Sequence, residues 1–374
     1  MNNSLKIDNG KNRQRIYFPE LDGLRFFAFL LVFIHHHSLF SKISYFSVLH
    51  TNGWIGVDLF FALSAFLFTK LLIAEHEKTR IISVKNFYLR RICRVWPIYF
   101  LFIGFSITIY ILKNGQISKY IGLRVFGLFV FSDNVFSAIY GYNPLPVVAH
   151  LWTIAYEEQI YIIIPIVILS LIRSSYKIKI MSLISVFFLL NLIRLVLLCN
   201  GVSHQVIWVL PITNFESIIL GIVVGFGGFN ILLKRLNPLI IGLIGILFFI
   251  LVCLMQPFVK ITYWLIISYL LVGLSSSMVL FSTLNSKYLR TIFSQKVFVF
   301  LGKRSLGLYV YHLLGNIIAT KLILYIPEIP SSSFFSFIYS LSFTVIISII
   351  SYKVVETPFL ILKKQFEVIS SRPI

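Results

Sequence analysis

The sequence predicts an all-α integral membrane protein, a bundle of about ten transmembrane helices with both termini in the cytoplasm. Three observations lead there. Apolar residues make up 58% of the 374 positions, charged residues only 12%, and mean hydropathy is +0.90. A soluble chain carries about 25% charged residues, so there is too little polar surface here to cover a water-soluble particle, and soluble, fibrous and disordered classes are excluded. The apolar residues also fall into runs near the roughly 20 residues that cross a bilayer. Finally, the basic residues are spread unevenly over the segments between those runs.

Ten spans follow in order: residues 23–40, 54–74, 95–112, 151–172, 181–199, 207–229, 238–256, 262–284, 305–326 and 334–352. Residues 113–150 hold an apolar stretch from Val125 to Phe131 but also Asp133, Asn134, Asn143, Pro144 and Pro146. They read as a long outer loop with an interfacial or re-entrant helix. Ser331, Ser332 and Ser333 mark a short outer turn. Residues 1–19 read as a flexible cytoplasmic segment, 20–360 as the membrane domain and 361–374 as a short cytoplasmic tail. The first 22 residues are polar and do not read as a signal peptide, and no large soluble domain is expected at either end.

With the N-terminus inside, 26 of the 33 Lys and Arg residues fall on the inner side. The other seven are Lys42, Lys113, Lys119, Arg124, Arg194, Lys260 and Lys321. Inner loops of membrane proteins are enriched in basic residues, so this split accounts for the net charge of +20 and makes a nucleic-acid role needless. It also requires an even number of spans. The three cysteines, Cys93, Cys199 and Cys253, show no CxxC spacing and suggest neither a disulfide framework nor zinc.

Ionisable groups inside a bilayer are costly and therefore informative. In the first span Arg25 and His36 are eleven residues apart, about three helical turns, so they share a face roughly 16 Å apart. His35, His36 and His37 cannot all ligate one ion, because neighbours on a helix diverge by about 100°; no metal is expected. A structural role for these histidines stands beside a working His36, whose ordinary pKa of about 6.5 suits a general base. Arg91 and Arg94 lie on one side of a helical turn. They read either as a topological anchor or as a clamp for a phosphate-bearing cytosolic ligand, since guanidinium forks bind phosphate bidentately. Glu157 and Tyr161 are neighbours one turn apart, while Glu158 points elsewhere. Asp58, Arg194 and Glu216 fall at comparable outer depth, either pairing with one another or lining a hydrated outer cavity. Gly221, Gly225, Gly227 and Gly228 read as close helix packing.

These residues resemble a known family. Leu21-Asp22-Gly23-Leu24-Arg25, followed at a distance by His36, is similar to the N-terminal signature of the membrane acyltransferase-3 family. Gly56-Val57-Asp58-Leu59-Phe60-Phe61-Ala62-Leu63-Ser64 resembles its second-span motif, Arg91-x-x-Arg94 with Pro97 its third, and Leu151-Trp152-Thr153 through Glu157-Glu158-Gln159-Ile160-Tyr161 its fourth. Leu301-Gly302, Tyr309-Val310-Tyr311-His312 and Glu356-Thr357-Pro358-Phe359 are similar to its ending. The chain departs from the pattern at Ala65, Thr153 and Thr357, where the family often has Gly, Ser and Arg.

The resemblance implies a bacterial inner-membrane enzyme that moves an acyl group, usually acetyl, from cytosolic acyl-CoA to a hydroxyl of a cell-surface glycan or glycolipid. It assigns His36 as catalytic base or acyl carrier, with Asp58 and Glu157 beside it. Arg25, Arg91 and Arg94 would hold acetyl-CoA, and Glu158, Trp152 and Tyr161 the acceptor. The expected partners are acyl-CoA, a glycan or lipid-linked glycan and membrane lipids, with no nucleic acid; the oligomeric state is left open. The expected layout is a narrow tunnel from the inner arginines to His36 and a wider outer cavity lined by Asp58 and Glu157. The alternative is a transporter or flippase of a sugar-bearing or acylated lipid.

Overall fold

The computed structural model describes residues 5–8, 13–37, 47–255, 264–326, 332–371 and 373. The predicted Lys11, Lys42, Lys260, Ser331 and Arg372 lie outside these residues, as do the ends of three predicted spans, at 38–40, 256 and 262–263. The chain starts with two short antiparallel strands, β1 (Leu5–Asp8) and β2 (Arg13–Ile16). Ile16 N–H donates to the Ser370 carbonyl at 2.9 Å. The segment expected to be flexible therefore contains a strand pair that meets the C-terminal tail.

All other described elements are helical. The first part of the chain gives α1 (Pro19–His35), α2 (Ser47–Asn52), α3 (Ile55–Thr79), α4 (Val84–Asn114), α5 (Lys119–Phe129) and α6 (Asp133–Tyr140). Next come α7 (Trp152–Ile172), α8 (Tyr176–Cys199), α9 (His204–Val209), α10 (Glu216–Gly225), α11 (Gly228–Leu232) and α12 (Pro238–Leu254). The last part gives α13 (Trp264–Asn285), α14 (Lys287–Phe293), α15 (Lys296–Lys303), α16 (Ser305–Tyr325) and α17 (Ser333–Ser351), which continues through a wider turn at Tyr352–Glu356 into α18 (Thr357–Lys363). Starts are capped by short polar side chains. Ser83, Ser118, Ser175, Asn237 and Ser286 accept from backbone N–H groups in the first turns of α4, α5, α8, α12 and α14, satisfying donors that have no partner inside the helix.

Seven described helices are long and apolar enough to cross a membrane: α3, α4, α7, α8, α13, α16 and the run Phe334–Phe366. Large apolar side chains such as Phe188, Leu189 and Leu192 of α8 are exposed, as lipid-facing positions require. The protein is an all-α integral membrane protein. Within it α3 and α13 are central, each with 67% of its apolar window buried, against 11% for α8.

Two predicted spans take a different form. The stretch expected to cross at 207–229 is broken into α9, α10 and α11. Pro211 disfavours a helical conformation in the residue before it, and Leu210 is extended, with φ −99° and ψ 132°. The third span starts at Val84 rather than 95, because the Ser83 cap opens the helix well before the arginines. Residues 113–150 contribute only the short α5 and α6; eleven residues span about 16 Å, half a bilayer core. Arg124 holds the two together, pairing with Asp133 at 3.2 Å and donating to the Gly141 carbonyl at 2.8 Å.

Of the glycine-rich stretch, Gly221 and Gly225 pack α10 against α3, while Gly227, with φ +85°, serves the turn into α11. A Cβ on Gly221 would stand 2.6 Å from the Ala62 carbonyl, and one on Gly225 equally near Thr69. Gly221→Leu is therefore expected to force α10 off α3. Overpacking of this kind costs about 1–3 kcal/mol, measurable as a lowered melting temperature of the protein in detergent.

Candidate active site

Several of the ionisable residues, Arg25, Arg91, Arg94, Glu157 and Tyr161, line one cavity. Helical spacing explains its lining. In α3, Val57, Phe61, Ser64 and Phe68 fall at intervals of three and four and form one face. In α7, Thr153, Glu157 and Tyr161 do the same one turn apart, and α16 adds Ser305 and Tyr309. Arg25 enters from α1, and Arg91 and Arg94 from α4.

The charges within it are held in place. Asp22 lies 3.6 Å from the Arg25 guanidinium and accepts from the Tyr17 hydroxyl at 2.9 Å. The Arg91 guanidinium sits 4.4 Å above the Phe68 ring, a cation–π contact that fixes its plane. Tyr161 donates to Glu157 Oε2 at 2.6 Å. Arg90, next in the chain, is employed elsewhere: it pairs with Glu75 at 3.2 Å and donates to the Phe366 carbonyl at 2.8 Å. The basic cluster thus divides into one residue that ties α3, α4 and the tail together and two that face the cavity.

This corrects the expected layout. Glu157 was placed in an outer cavity with Asp58, apart from the arginines, yet it shares one cavity with Arg25, Arg91 and Arg94. The reason is the long α4. It carries Arg91 and Arg94 two to three turns beyond its first residue instead of at its mouth, so they reach the level at which α7 presents Glu157. Asp58 is one residue from Val57 and so about 100° away on the helix. It turns from the cavity to accept from Ser217 at 3.0 Å, where α10 begins. Close by, Arg194 pairs with Glu216 with both side chains buried, the ion pair that the sequence left as one of two options.

Glu158 and Trp152 are also off the cavity face. Glu158 accepts from Trp96 Nε1 at 3.5 Å. Trp152 is buried 5.7 Å from Trp208, in an aromatic cluster with Trp54 and Tyr269. Of the predicted site residues the cavity gathers Arg25, Arg91, Arg94, Glu157 and Tyr161; Asp58, Glu158, Trp152 and His36 lie outside it.

A row of rings leads from Tyr309, in the cavity lining, to His36. In that lining the Thr153 and Tyr309 hydroxyls meet at 2.6 Å, and both come near the His150 carbonyl, at 3.0 and 3.1 Å. The His150 ring lies 5.1 Å from Tyr309 and 4.6 Å from His312, and His312 lies 4.9 Å from His36. His36, itself exposed, is thus joined to the cavity by a row of rings. The sequence reading assigned no role to His150 or to His312, which ends the Tyr309-Val310-Tyr311-His312 string. What pairs them with His36 is the contact of α1 with α16, which spacing along one helix cannot show. The three consecutive histidines diverge as helical geometry demands. His35 Nδ1 contacts the His50 carbonyl at 2.6 Å, His36 faces α16, and His37 stacks on Phe33 and meets Phe337 edge to face. Among the described residues no group of His, Cys, Asp and Glu is arranged to hold a metal ion.

The Staphylococcus aureus (strain COL) protein named "Putative O-acetyltransferase SACOL0978" is 31% identical over 93% of this chain and 58% of its own length. Peptidoglycan O-acetyltransferase OatA of Listeria monocytogenes is 28% identical over 92% of this chain and 56% of its own. O-acetyltransferase OatA of S. aureus (strain NCTC 8325) is 28% identical over 96% and 59%. The chain thus spans under two thirds of the curated relatives it matches. No solved structure matches it. The family described as "Acyltransferase domain", acyltransferase-3, matches residues 18–353, and the chain belongs to that family.

Proposed function

We propose that the protein is a membrane O-acetyltransferase that takes acetyl from cytosolic acetyl-CoA and passes it to a hydroxyl of a cell-envelope glycan. The observation that carries this reading is the arginine-lined cavity. Arg25, Arg91 and Arg94 suit the phosphates of CoA, since planar guanidinium forks match phosphate oxygens. Tyr309 and Thr153 line the same cavity, and His36 is roughly 16 Å along the chain of α1 from Arg25, a distance suited to the long, thin pantetheine arm. In this reading both termini are cytoplasmic, the membrane is the bacterial inner membrane, and His36 is the base that accepts the hydroxyl proton. The name of the Listeria relative makes peptidoglycan the first acceptor to try. A lipid transporter would need two alternately open gates, and no observation favours it.

The test is donor binding. Acetyl-CoA should bind the purified protein in detergent, and Arg91→Ala/Arg94→Ala should raise its Kd at least about tenfold, since hydrogen bonds between charged groups are worth about 1.5–3 kcal/mol each. Arg94→Lys keeps the charge but loses the fork and should fall between the two. A double variant with wild-type affinity would reduce the two arginines to a topological anchor.

A further inference from the structure

Resting on that reading, we propose that His312 is the partner of His36 in proton transfer, taking the acceptor's hydroxyl proton from it and returning it toward the donor's sulfur. Tautomers lead to this conclusion. A carbonyl oxygen only accepts, so a ring nitrogen in contact with one must carry the proton. His36 Nδ1 lies 2.9 Å from the Val32 carbonyl, and His312 Nδ1 lies 2.5 Å from the Tyr309 carbonyl. Both rings are thereby fixed with Nδ1–H as donor and Nε2 as the basic nitrogen, the arrangement a general base needs. His312 is fully buried, and its Nε2 has no hydrogen-bond partner. A buried nitrogen held in one tautomer without a partner is costly, and nothing in the packing of α16 requires it.

Position supplies the direction. His312 stands between His36, 4.9 Å away, and Tyr309, which lines the donor cavity. With both rings neutral, neither Nε2 has a proton to offer, so they share no hydrogen bond. Once His36 takes a proton, one bond can form after a small ring rotation or through one water, the kind of tightening expected when a site fills.

The step balances. The acceptor's O–H bond breaks and its oxygen bonds to the acetyl carbon, while the thioester C–S bond breaks and its electron pair stays on sulfur. The proton passes from the hydroxyl to His36 Nε2, then to His312 Nε2, and finally to sulfur, giving free CoA thiol. Both histidines end neutral. The acetyl group moves outward and the proton inward through the same contact. His312 acts through His36 and is a relay and positioning residue.

The test uses inverted membrane vesicles containing the full chain, radiolabelled acetyl-CoA, and label counted in the glycan fraction. His312→Asn retains an amide donor for the Tyr309 carbonyl and removes only Nε2. It is expected to lower kcat about 10–100-fold with the KM for acetyl-CoA unchanged. His312→Ala should lose at least as much and regain part of it with added imidazole. Wild-type kcat in His312→Asn would overturn the proposal, as would a His312→Ala loss that imidazole leaves untouched while His312→Asn stays active. If His312→Ala fails to insert, the asparagine variant decides alone. If the wild type transfers no label, the donor assignment fails instead, so the two failures are told apart.

Discussion

His36→Ala is expected to lower acetyl transfer about 10²–10⁴-fold, the usual contribution of a general base, while the protein still inserts and binds acetyl-CoA. The expectation follows from where the ring sits. It is held through Nδ1 by the Val32 carbonyl at the end of α1, exposed on one side and 4.9 Å from His312 on the other. Removing it deletes no buried packing, since the side chain is exposed, so stability should change little. The controls are its neighbours. His35→Gln and His37→Gln alter rings directed at α2 and α17 and should leave most of the activity. Label transferred from acetyl-CoA to glycan in membrane vesicles is the measurement, with expression level checked by immunoblot. Wild-type transfer in a well-inserted His36→Ala protein would remove His36 from the chemistry.

Arg194→Met is expected to be the most destabilising single substitution in the bundle. The Arg194 and Glu216 side chains are 0% and 1% exposed, and the guanidinium also lies 4.7 Å above the Tyr269 ring. Taking away one partner leaves the other buried and unpaired, which costs about 3–5 kcal/mol. Replacing both, as in Arg194→Met/Glu216→Leu, removes the stranded charge and should recover much of the loss. Melting temperatures of the three proteins in the same detergent compare these outcomes directly. Glu216 opens α10, and the next residue, Ser217, donates to Asp58, so the single variant should also disturb Asp58. This gives Asp58 a role in joining α3 to the break after α9, separate from the arginine-lined cavity.

Most spans were legible because a bilayer imposes a length that apolar runs must meet, and seven described helices meet it. What was misjudged was decided by single residues whose signals were in plain view. Ser83 started α4 early, and the run through Arg90, Arg91 and Arg94 did not end it, since arginine is a good helix former. Pro211 broke the sixth span. The site was legible residue by residue but not in arrangement. The turn-by-turn pairing of Glu157 with Tyr161, and the divergence of His35, His36 and His37, follow from one helix alone. That Glu157 shares a cavity with Arg94, or that His36 meets His312, depends on how α4 stands against α7 and α1 against α16, which no periodicity within a helix encodes.

The arginine-lined cavity has a consequence for solution conditions. Three guanidinium groups and one carboxyl line it, and arginine stays charged at any pH a cell meets. Whatever state Glu157 takes, the chamber is therefore net positive, and its low-dielectric walls concentrate that field toward whatever approaches from the arginine end. It will draw in anions of many kinds, chloride and free phosphate included, so that a multiply charged donor must displace them. Raising ionic strength shortens the Debye length from about 10 Å at 0.1 M toward 3 Å at 1 M. Salt should thus slow the capture of acetyl-CoA steeply while leaving the chemistry beyond Tyr309 untouched.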